Sequence, residues 1–430
     1  MLSTTRREFM SALGAAALAG EGDGVPGQAS PLGSLTREFP ALSQRVNGQP
    51  LVYLDSAATT LRPQAVIDAL ADFYKTDNAN PAPVHTLARR AASRLTAVRH
   101  TVARLVNAAS PNEIVFTRGT TEGINLLASS WGGANLRPGD EVVLTRAEHN
   151  SNLLPWTRAA RQAGATVRVV DVDDEGHLRL DQLKGLISAR TRLIAFSHVS
   201  NVLGLVNPAK EICALARQAG ARVVIDGAQS VPHVGVDVQD LGCDFYVFSG
   251  HKMLGPMATG VVWARLELLD AMPPYHVGSN MAHEVDFERA SFEHGALKFQ
   301  AGTPDVAGPV GLAAAIDVLT TAGREATWRH DQDLVRHGLT RFREVKGLRL
   351  IGPASPEHRV PVFTFVIEGK SPAAIAAALD SKGIAIRAGD MAALPLLKRF
   401  GVSEAARASA YVYSTRADLD RLIDALNQLV

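Results

Sequence analysis

Short apolar runs alternate with amphipathic stretches over most of the chain. Runs that predict strands occupy residues 114–117, 141–145, 166–172, 191–197 and 260–264, and two more begin at Val223 and Asp244. Stretches with the apolar spacing of helices lie between them, at residues 123–130, 153–163 and 209–218. Strands that alternate with helices in this way are typical of a parallel sheet covered on both faces. The pattern therefore predicts an α/β fold.

The same pattern divides the chain of 430 residues into three regions. Residues 1–34 precede the pattern, residues 35–307 form a predicted large domain, and residues 308–430 form a predicted small C-terminal domain. We expect helices at 63–74 and 87–107 in the N-terminal part of the large domain. The small domain is predicted to hold helices at 310–321, 328–345, 372–382 and 416–429, and strands at 348–351, 360–367, 384–388 and 409–413.

Two of the apolar runs end at residues that carry chemistry. The run from Val223 stops at Asp226, and the run from Asp244 stops just before Lys252. Ligands of open α/β sheets bind outside the carboxyl ends of the strands, so we expect both side chains to face one crevice. A lysine amine can form a Schiff base with pyridoxal phosphate, and a carboxylate can pair with its pyridine nitrogen. The alternative is an ordinary strand-end aspartate and a solvated lysine.

A glycine–threonine turn at another strand end suits the phosphate of such a cofactor. Gly119, Thr120 and Thr121 lie between a predicted strand and a predicted helix, where free backbone amides favour an anion. Many strand–helix junctions have this composition, so the turn alone is a weak signal. Ser249 and His251, just before Lys252, are candidates for further phosphate contacts.

His149 follows a third strand end, in the stretch Glu148-His149-Asn150-Ser151-Asn152. An imidazole at this place can stack on a pyridine ring. An isolated histidine at a strand end is more often a helix cap or a solvated side chain, and this alternative stays open on the local sequence.

Composition excludes several other classes of protein. The hydrophobic fraction is 46% and the formal net charge is +1, and no basic run is long enough to indicate nucleic-acid binding. The two cysteines, Cys213 and Cys243, exclude a disulfide framework and a cysteine-rich metal site. No apolar run approaches the ~20 residues that span a bilayer. We therefore expect a globular protein with a small-molecule partner.

The N-terminal region resembles a twin-arginine export signal. Arg6 and Arg7 are followed by a weakly apolar run over residues 10–19 that ends in small residues. Residues 20–35, rich in Gly, Pro and Ser, are typical of a linker. This interpretation predicts a periplasmic or secreted protein. The alternative is an N-terminal extension that happens to contain two arginines, on a cytoplasmic protein.

Taken together, six motifs resemble the class V aminotransferase superfamily, and within it the branch of SufS-like cysteine desulfurases and selenocysteine lyases. The motifs begin at Tyr53, Arg118, His198, Asp226, Phe248 and Ala301, and they read YLDSAA, RGTTEGIN, HVSNVLG, DGAQ, FSGHK and AGTP. The resemblance covers residues 35–430. It implies a fold-type I pyridoxal-phosphate enzyme, whose large domain has a mostly parallel, seven-stranded sheet and whose small C-terminal domain is α+β. It also implies that the N-terminal segment packs on the small domain.

The resemblance also implies a role for each matching residue. Lys252 would be the Schiff-base lysine and would move the Cα proton, and His149 would stack on the cofactor ring. Asp226 would pair with the pyridine nitrogen and Gln229 would contact the phenolic oxygen. The remaining roles are phosphate contacts for Thr120, Thr121, Ser249 and His251, a contact from Thr303 to the phosphate of the partner subunit, and substrate binding for Asn201, Arg407, Arg387 and His85. The expected partners are thus an amino-acid substrate and a second copy of the chain, which shares the active site.

The chain departs from the family at two places near the expected substrate side chain. The family carries its nucleophilic cysteine on a loop after Arg-Thr-Gly, and Ala392 stands at the equivalent position. An alanine methyl group cannot attack sulfur or carry a persulfide, whereas a thiolate can. The second departure is Tyr275-His276-Val277-Gly278-Ser279, where the family usually has a glycine-rich stretch. Cys213 and Cys243 are expected to be buried packing residues rather than substitutes.

These observations favour a C–S lyase that works by β-elimination on a substrate whose sulfur leaves unaided, such as cystine or a cysteine S-conjugate. The alternatives are transamination with the same lysine, cysteine desulfurase or selenocysteine lyase activity without the loop cysteine, and a scaffold protein that has lost activity. The retained Lys252, Asp226, His149 and Arg407 argue against the scaffold.

Overall fold

A computed structural model of the chain describes Leu32 and residues 35–430. The twin-arginine segment lies outside these described residues, so the export signal stays a prediction. The α-helices span Gln64–Thr76, Thr86–Val106, Thr120–Leu127, Gly133–Asn135, Asn150–Ala163, Leu180–Leu186, Ala209–Gln218, Val238–Leu241, Leu266–Ala271, Ala307–Ala322, Arg324–Phe342, Pro372–Asp380, Leu394–Arg399 and Arg416–Asn427. Short 3-10 turns occupy Leu35–Glu38, Pro40–Ser43, Pro111–Glu113, Gly250–Lys252 and Gly295–Phe299.

The strands are numbered in chain order, and seven of them form the central sheet. The first three are β1 (Arg45–Val46), β2 (Gln49–Pro50) and β3 (Val52–Tyr53). The sheet contains β4 (Ile114–Thr117), β5 (Glu141–Thr145), β6 (Thr166–Val170), β7 (Thr191–Ser197), β8 (Arg222–Asp226), β9 (Phe245–Ser249) and β10 (Gly260–Ala264). Their order is β4-β10-β9-β8-β7-β5-β6, and β10 runs in the direction opposite to the other six strands of this sheet. The predicted α/β class with a mostly parallel, seven-stranded sheet is confirmed.

The central strands are apolar at nearly every position because both faces of the sheet are covered. Alternate residues of one strand enter different cores: Val224 packs in one hydrophobic cluster and its neighbours Val223 and Ile225 in the other. Helices on the two sides supply the rest of each cluster. Full burial of such side chains stabilises the fold by about 1.5–3 kcal/mol each, so the sheet is a rigid base for the residues at its carboxyl edge.

The remaining strands are β11 (Ala282–Val285), β12 (Ala290–Phe292), β13 (Leu348–Ile351), β14 (Val362–Ile367), β15 (Ile384–Ala385), β16 (Arg387–Gly389) and β17 (Ala405–Ser409). Strands β11 and β12 form a hairpin, and the order β13-β14-β17-β16 forms a four-stranded antiparallel sheet in the C-terminal region. Strand β3, from the N-terminal segment, pairs in parallel with β15. This pairing places residues 52–60 between the central sheet and the C-terminal sheet.

The predicted strand at residues 409–413 is wrong, because the strand spans Ala405–Ser409 instead. Aromatic residues after Ser409 suggest a strand, but the Tyr411 amide donates to the Ser414 hydroxyl in a turn and the Tyr411 ring packs in a separate cluster with Phe39. The true strand is rich in alanine and has Arg407 at its centre, so its sequence lacks an apolar β-branched run.

Candidate active site

A cavity of about 540 Å³ opens at the carboxyl edge of the central sheet, where the C-terminal sheet approaches it. Eleven of the thirteen predicted site residues line it: Thr120, Thr121, His149, Asn201, Asp226, Gln229, Ser249, His251, Lys252, Arg387 and Arg407. The volume suits a cofactor together with a small substrate. The other two, His85 and Thr303, are exposed and do not line this cavity. The Nδ1 atom of His85 caps the helix Thr86–Val106 by accepting from the Ala88 amide at 3.4 Å.

Asp226 and Lys252 reach the cavity from neighbouring strands. Strand β8 ends at Asp226, and the turn Gly250–Lys252 follows directly after β9, which pairs with β8 in parallel. The Asp226 carboxylate is buried and accepts a hydrogen bond from the Ala228 amide at 2.9 Å. The crevice expected from the two apolar runs is therefore present.

Burial moves both groups toward their neutral forms. Loss of water lowers the pKa of Lys252 to about 8, with Asp226 opposing this shift and Arg407 adding to it. Burial also raises the pKa of Asp226 above its usual value. A lysine with a lowered pKa carries a larger fraction of the neutral amine at neutral pH, and the neutral amine is the nucleophile that forms a Schiff base.

His149 is half-buried at the start of the helix Asn150–Ala163. Its Nδ1 atom accepts from the Ser151 amide at 3.0 Å, so one edge of the ring is fixed by the helix terminus. Burial, together with the positive charges of Lys252 and Arg407, lowers the pKa of His149 to about 4. The imidazole is therefore neutral near pH 7, and a neutral ring held at its edge presents flat faces for stacking.

The turn before the helix Thr120–Leu127 is tied to the end of β9. The Ser249 hydroxyl accepts from the Thr120 amide at 2.8 Å and lies 2.8 Å from the Thr120 hydroxyl. Gly119 has a φ of +145°, and a Cβ atom at this position would lie 3.3 Å from the Ser249 oxygen. A side chain would therefore crowd the turn, and glycine allows it to approach the end of β9 closely at the start of a helix, where an anion is favoured. Burial lowers the pKa of the adjacent His251 to about 4.

Two arginines enter the cavity from the C-terminal sheet, where Arg387 of β16 lies opposite Arg407 of β17. Arg407 is buried, and its Nη1 atom donates to the backbone oxygen of Asn201 at 3.0 Å. Its Nε atom is buried without a hydrogen-bond partner. Arg387 is exposed, and it forms an ion pair with Asp55. A buried guanidinium with a free donor is suited to a substrate carboxylate.

The loop that follows Arg387 closes one side of the cavity. Met391 and Ala392 both have φ of +52°, the left-handed region that non-glycine residues rarely adopt. Three hydrogen bonds hold them: Asn201 Nδ2 donates to the Met391 oxygen at 2.8 Å, the Asn150 amide to the Ala392 oxygen at 2.7 Å, and the Ala392 amide to Asp390 Oδ1 at 2.9 Å. The side-chain amide of Asn201, predicted to bind substrate, is thus engaged with the loop.

Two carboxylates for which the sequence predicts no role lie behind the residues that line the cavity. Asp55 contacts both arginines, and Glu148 is buried beside His149, where it accepts from Asn152 Nδ2 at 2.7 Å and from the Ser197 hydroxyl at 2.8 Å. Burial raises the pKa of Glu148 to about 7. Asp55 stands inside the YLDSAA motif and Glu148 in the stretch quoted for His149, yet nothing in their spacing indicates a contact partner.

The residues present fit pyridoxal phosphate. The cavity combines a buried lysine, a buried carboxylate on the neighbouring strand, a glycine turn that a Cβ would crowd, and an arginine with an unpartnered buried donor. Gln229 Nε2 donates to the Ala57 oxygen at 2.6 Å, which fixes this side chain at the cavity wall. Among the described residues, no group of histidine, cysteine and acidic side chains could hold a metal ion. Over the same residues, every helix is too short or too polar to cross a bilayer.

Comparison with known proteins agrees with this geometry. The family model described as aminotransferase class-V matches residues 52–422. A cysteine desulfurase of Synechococcus elongatus is 47% identical over 91% of this chain and 63% of its own length, so the chain spans less than two thirds of that relative. A probable cysteine desulfurase of Halalkalibacterium halodurans is 44% identical over 91% of this chain and 96% of its own length.

A solved structure shows the same likeness. The cysteine desulfurase CsdA (S-sulfonic acid) of Escherichia coli superposes with a TM-score of 0.86 at 36% identity, over 94% of this chain and 98% of its own. The predicted superfamily, the cofactor and the general class of activity, a cysteine desulfurase-like C–S lyase, are confirmed by these similarities. The chain belongs to the class V aminotransferase family of pyridoxal-phosphate enzymes.

Proposed function

We propose that the protein cleaves the Cβ–S bond of a sulfur-containing amino acid by β-elimination, without help from an enzyme thiol. The observation that carries this proposal is the cavity wall itself: Ala392 lines it, and no cysteine does. Cys213 and Cys243 are fully buried elsewhere, and burial raises the pKa of the Cys213 thiol to about 12. A thiol with so high a pKa is almost wholly protonated at neutral pH and is a poor nucleophile.

Several residues of the cavity would have a task in this reaction. Bound pyridoxal phosphate would act as an electron sink for negative charge at the substrate Cα. Lys252 would hold the cofactor covalently and then, once displaced by the substrate amine, remove the Cα proton. Asp226 would pair with the pyridine nitrogen, His149 would stack on the ring, and the turn at Thr120 would hold the phosphate. Arg407 would bind the substrate carboxylate, which fixes Cα beside the lysine.

The chemistry of the leaving group decides the substrate class. The Cα–H bond gives its proton to Lys252, the Cβ–S bond breaks, and sulfur departs with the electron pair as a thiolate or persulfide anion. Hydrolysis of the remaining three-carbon fragment gives pyruvate and ammonia. Cystine and cysteine S-conjugates carry a sulfur substituent that stabilises the departing anion, so they need no nucleophile on the enzyme. The reacting cysteine half of each also carries an α-carboxylate for Arg407.

Product analysis tests this proposal. Purified holoenzyme is incubated with cystine, cysteine and S-substituted cysteines, and pyruvate and alanine are measured in the same samples. We expect pyruvate as the main product from cystine and from S-substituted cysteines. Alanine as the main product, together with sulfide or persulfide from cysteine, would mean that desulfuration persists with Ala392 and would overturn the proposal.

We also propose that two copies of the chain pair and that Thr303 reaches the phosphate site of the partner subunit. This is what the resemblance implies for Thr303, and two observations support it. The Thr303 side chain is exposed and does not line the cavity of its own chain. The hairpin of β11 and β12 carries Val285 and Phe287 with their side chains exposed to solvent, and exposed apolar side chains on a projecting hairpin are typical of an interface.

A further inference from the structure

Asp390 is a carboxylate of the cavity wall that has no cation beside it. It follows directly after β16, its side chain is exposed, and it lines the cavity together with Ala392. Arg387, the other exposed charged residue of the wall, is already paired with Asp55. Among the residues that the structure describes, no cation forms an ion pair with Asp390. Its negative charge is therefore open to a ligand in the cavity.

The loop backbone holds this carboxylate in place. Asp390 Oδ1 accepts from the Ala392 amide at 2.9 Å, and the Asp390 backbone oxygen accepts from the Ala393 amide at 3.0 Å. Within the described part of the chain, Oδ2 accepts no hydrogen bond. One carboxylate oxygen thus fixes the loop, and the other is left for a donor that enters the cavity.

The cavity offers two open charges of opposite sign at different depths. Arg407 is buried, and its Nε atom has no hydrogen-bond partner, so it can bind an anion at the inner end. Asp390 is exposed, yet its charge acts within the cavity: burial lowers the pKa of His149 to about 4, and the Asp390 carboxylate opposes this shift. A charge that acts on the imidazole also acts on a ligand in the same cavity.

The proposed function indicates how a substrate lies between these charges. Its α-carboxylate binds Arg407, and its Cα lies beside Lys252. Ala392 stands where the family carries the cysteine that attacks the substrate sulfur, so we expect the sulfur to lie against Ala392. Because Asp390 Oδ1 is hydrogen-bonded to the amide of that same residue, the group attached to the sulfur lies beside Asp390.

We propose that Asp390 is a specificity-determining residue that binds an ammonium group on the sulfur substituent of the substrate. The favoured substrates are then cysteines whose sulfur carries an aminoalkyl group, such as the mixed disulfide of cysteine and cysteamine. An ammonium group can donate a charge-assisted hydrogen bond to the free Oδ2 atom. The inference rests on the proposed function in that the substrate is a cysteine with a substituent on its sulfur.

Binding of two unreactive acids to the holoenzyme tests this inference apart from catalysis. The probes are 7-(dimethylamino)heptanoate and 8-methylnonanoate, which have the chain length of the mixed disulfide and end in a tertiary ammonium or in an uncharged group of the same shape. Neither can form a Schiff base with the cofactor. Their dissociation constants are measured by calorimetry. Asp390→Asn should weaken the ammonium probe by about two- to fivefold, the range for an exposed ion pair, and change the uncharged probe by less than about 1.5-fold.

Asp390→Asn is suited to this test because the asparagine carbonyl can still accept from the Ala392 amide, so only the charge is removed. The matched control is Asp181→Asn. Asp181 is an exposed aspartate that pairs with Arg179 and does not line the cavity. This variant loses the same charge and should leave both dissociation constants unchanged. If Asp390→Asn leaves the ammonium probe unaffected, or weakens both probes equally, the proposal fails.

The salt dependence of binding to the wild-type holoenzyme keeps the test decisive if Asp390→Asn folds poorly. The contact of the probe carboxylate with Arg407 is common to both probes, so the ratio of their affinities isolates the ammonium group. Raising the salt concentration from about 0.02 M to about 0.5 M should lower the relative affinity for the ammonium probe, because salt screens exposed charges. A ratio that does not change with salt would contradict the proposal. An absence of pyruvate in the product assay would overturn the elimination mechanism and would leave these dissociation constants unaffected.

Discussion

Lys252 is the residue on which the chemistry of this protein depends, and its surroundings decide its protonation. It is half-buried at the cavity, beside the buried Asp226 and near the positive charge of Arg407. Burial lowers its pKa to about 8, well below the usual 10.5. His149 and His251, the two histidines that line the cavity, are neutral near pH 8 because burial lowers the pKa of each to about 4.

The rate of cofactor loading should therefore rise with pH around a midpoint near 8. Only the neutral amine attacks the aldehyde, and its fraction increases as pH passes the lysine pKa from below. Cofactor-free protein is mixed with pyridoxal phosphate between pH 6.5 and 10.5, and the growth of the visible absorbance is timed. A midpoint close to 10 would show that burial does not lower the lysine pKa.

Lys252→Ala should abolish the visible absorbance of the cofactor-bound lysine and lower turnover by at least 10²–10⁴-fold, the range for loss of a general acid–base group. Lys210→Ala is the matched control, because Lys210 is an exposed lysine that forms an ion pair with Asp240 away from the cavity. Absorbance and turnover are measured on both variants. Activity retained in Lys252→Ala would contradict the assigned role.

Most residues of the site could be predicted from the sequence. The contacts between them could not, because they join residues that are far apart in the chain. Asp226 and Lys252 stand where apolar runs stop, and parallel strands bring such ends to one edge. The pairing of Asp55 with Arg387 joins residues 332 positions apart, and no local pattern encodes it. Glu148 shows the same limit, because its donors come from two strands and a helix.

At the scale of elements, strand and helix boundaries follow the apolar pattern wherever burial is uniform. The strands Glu141–Thr145, Thr191–Ser197 and Gly260–Ala264 and the helix Ala209–Gln218 have the bounds expected from sequence. The sequence pattern does not predict strand β17, because its buried positions are mostly small alanines rather than large apolar residues. The hairpin of β11 and β12 was also missed, since its residues are mostly exposed and their sequence is polar.

The helix Thr120–Leu127 can pack close to the central sheet because Gly123 has no side chain. A Cβ atom at Gly123 would lie 2.5 Å from Val247 Cγ1 and 2.7 Å from Val262 Cγ2, and valine side chains are too stiff to move away. Gly123→Ala should therefore lower the free energy of unfolding by about 1–3 kcal/mol and weaken cofactor binding, because the phosphate turn moves with the helix.

Gly185→Ala provides the control for this prediction. Gly185 lies in the helix Leu180–Leu186, and a Cβ atom there would meet nothing within 4 Å. This variant should leave cofactor affinity unchanged and alter stability by less than about 1 kcal/mol, in the favourable direction. Urea unfolding and titration with pyridoxal phosphate are measured on both. Equal effects of the two substitutions on stability and cofactor affinity would show that the close contact of Gly123 with the sheet determines neither.

At the scale of the whole molecule, the proposed pairing of two chains makes the hairpin of β11 and β12 an interface. Phe287→Asp should lower the molar mass measured by light scattering toward that of one chain, because a buried charge without a partner is costly. Val169→Asp is the control, since Val169 is an exposed apolar residue on the edge strand β6. A wild-type protein that is monomeric at all concentrations would contradict the pairing.

The proposed elimination mechanism depends on Ala392, which lines the cavity from the loop after Arg387. The most direct test is the ratio of alanine to pyruvate formed from cysteine and cystine, measured side by side on the wild-type holoenzyme and on Ala392→Cys. We predict mostly pyruvate from the wild type, and a shift toward alanine with protein-bound persulfide in the variant. If the wild type already forms mostly alanine, and the added thiol changes nothing, the protein desulfurates without a loop cysteine and the elimination mechanism is wrong.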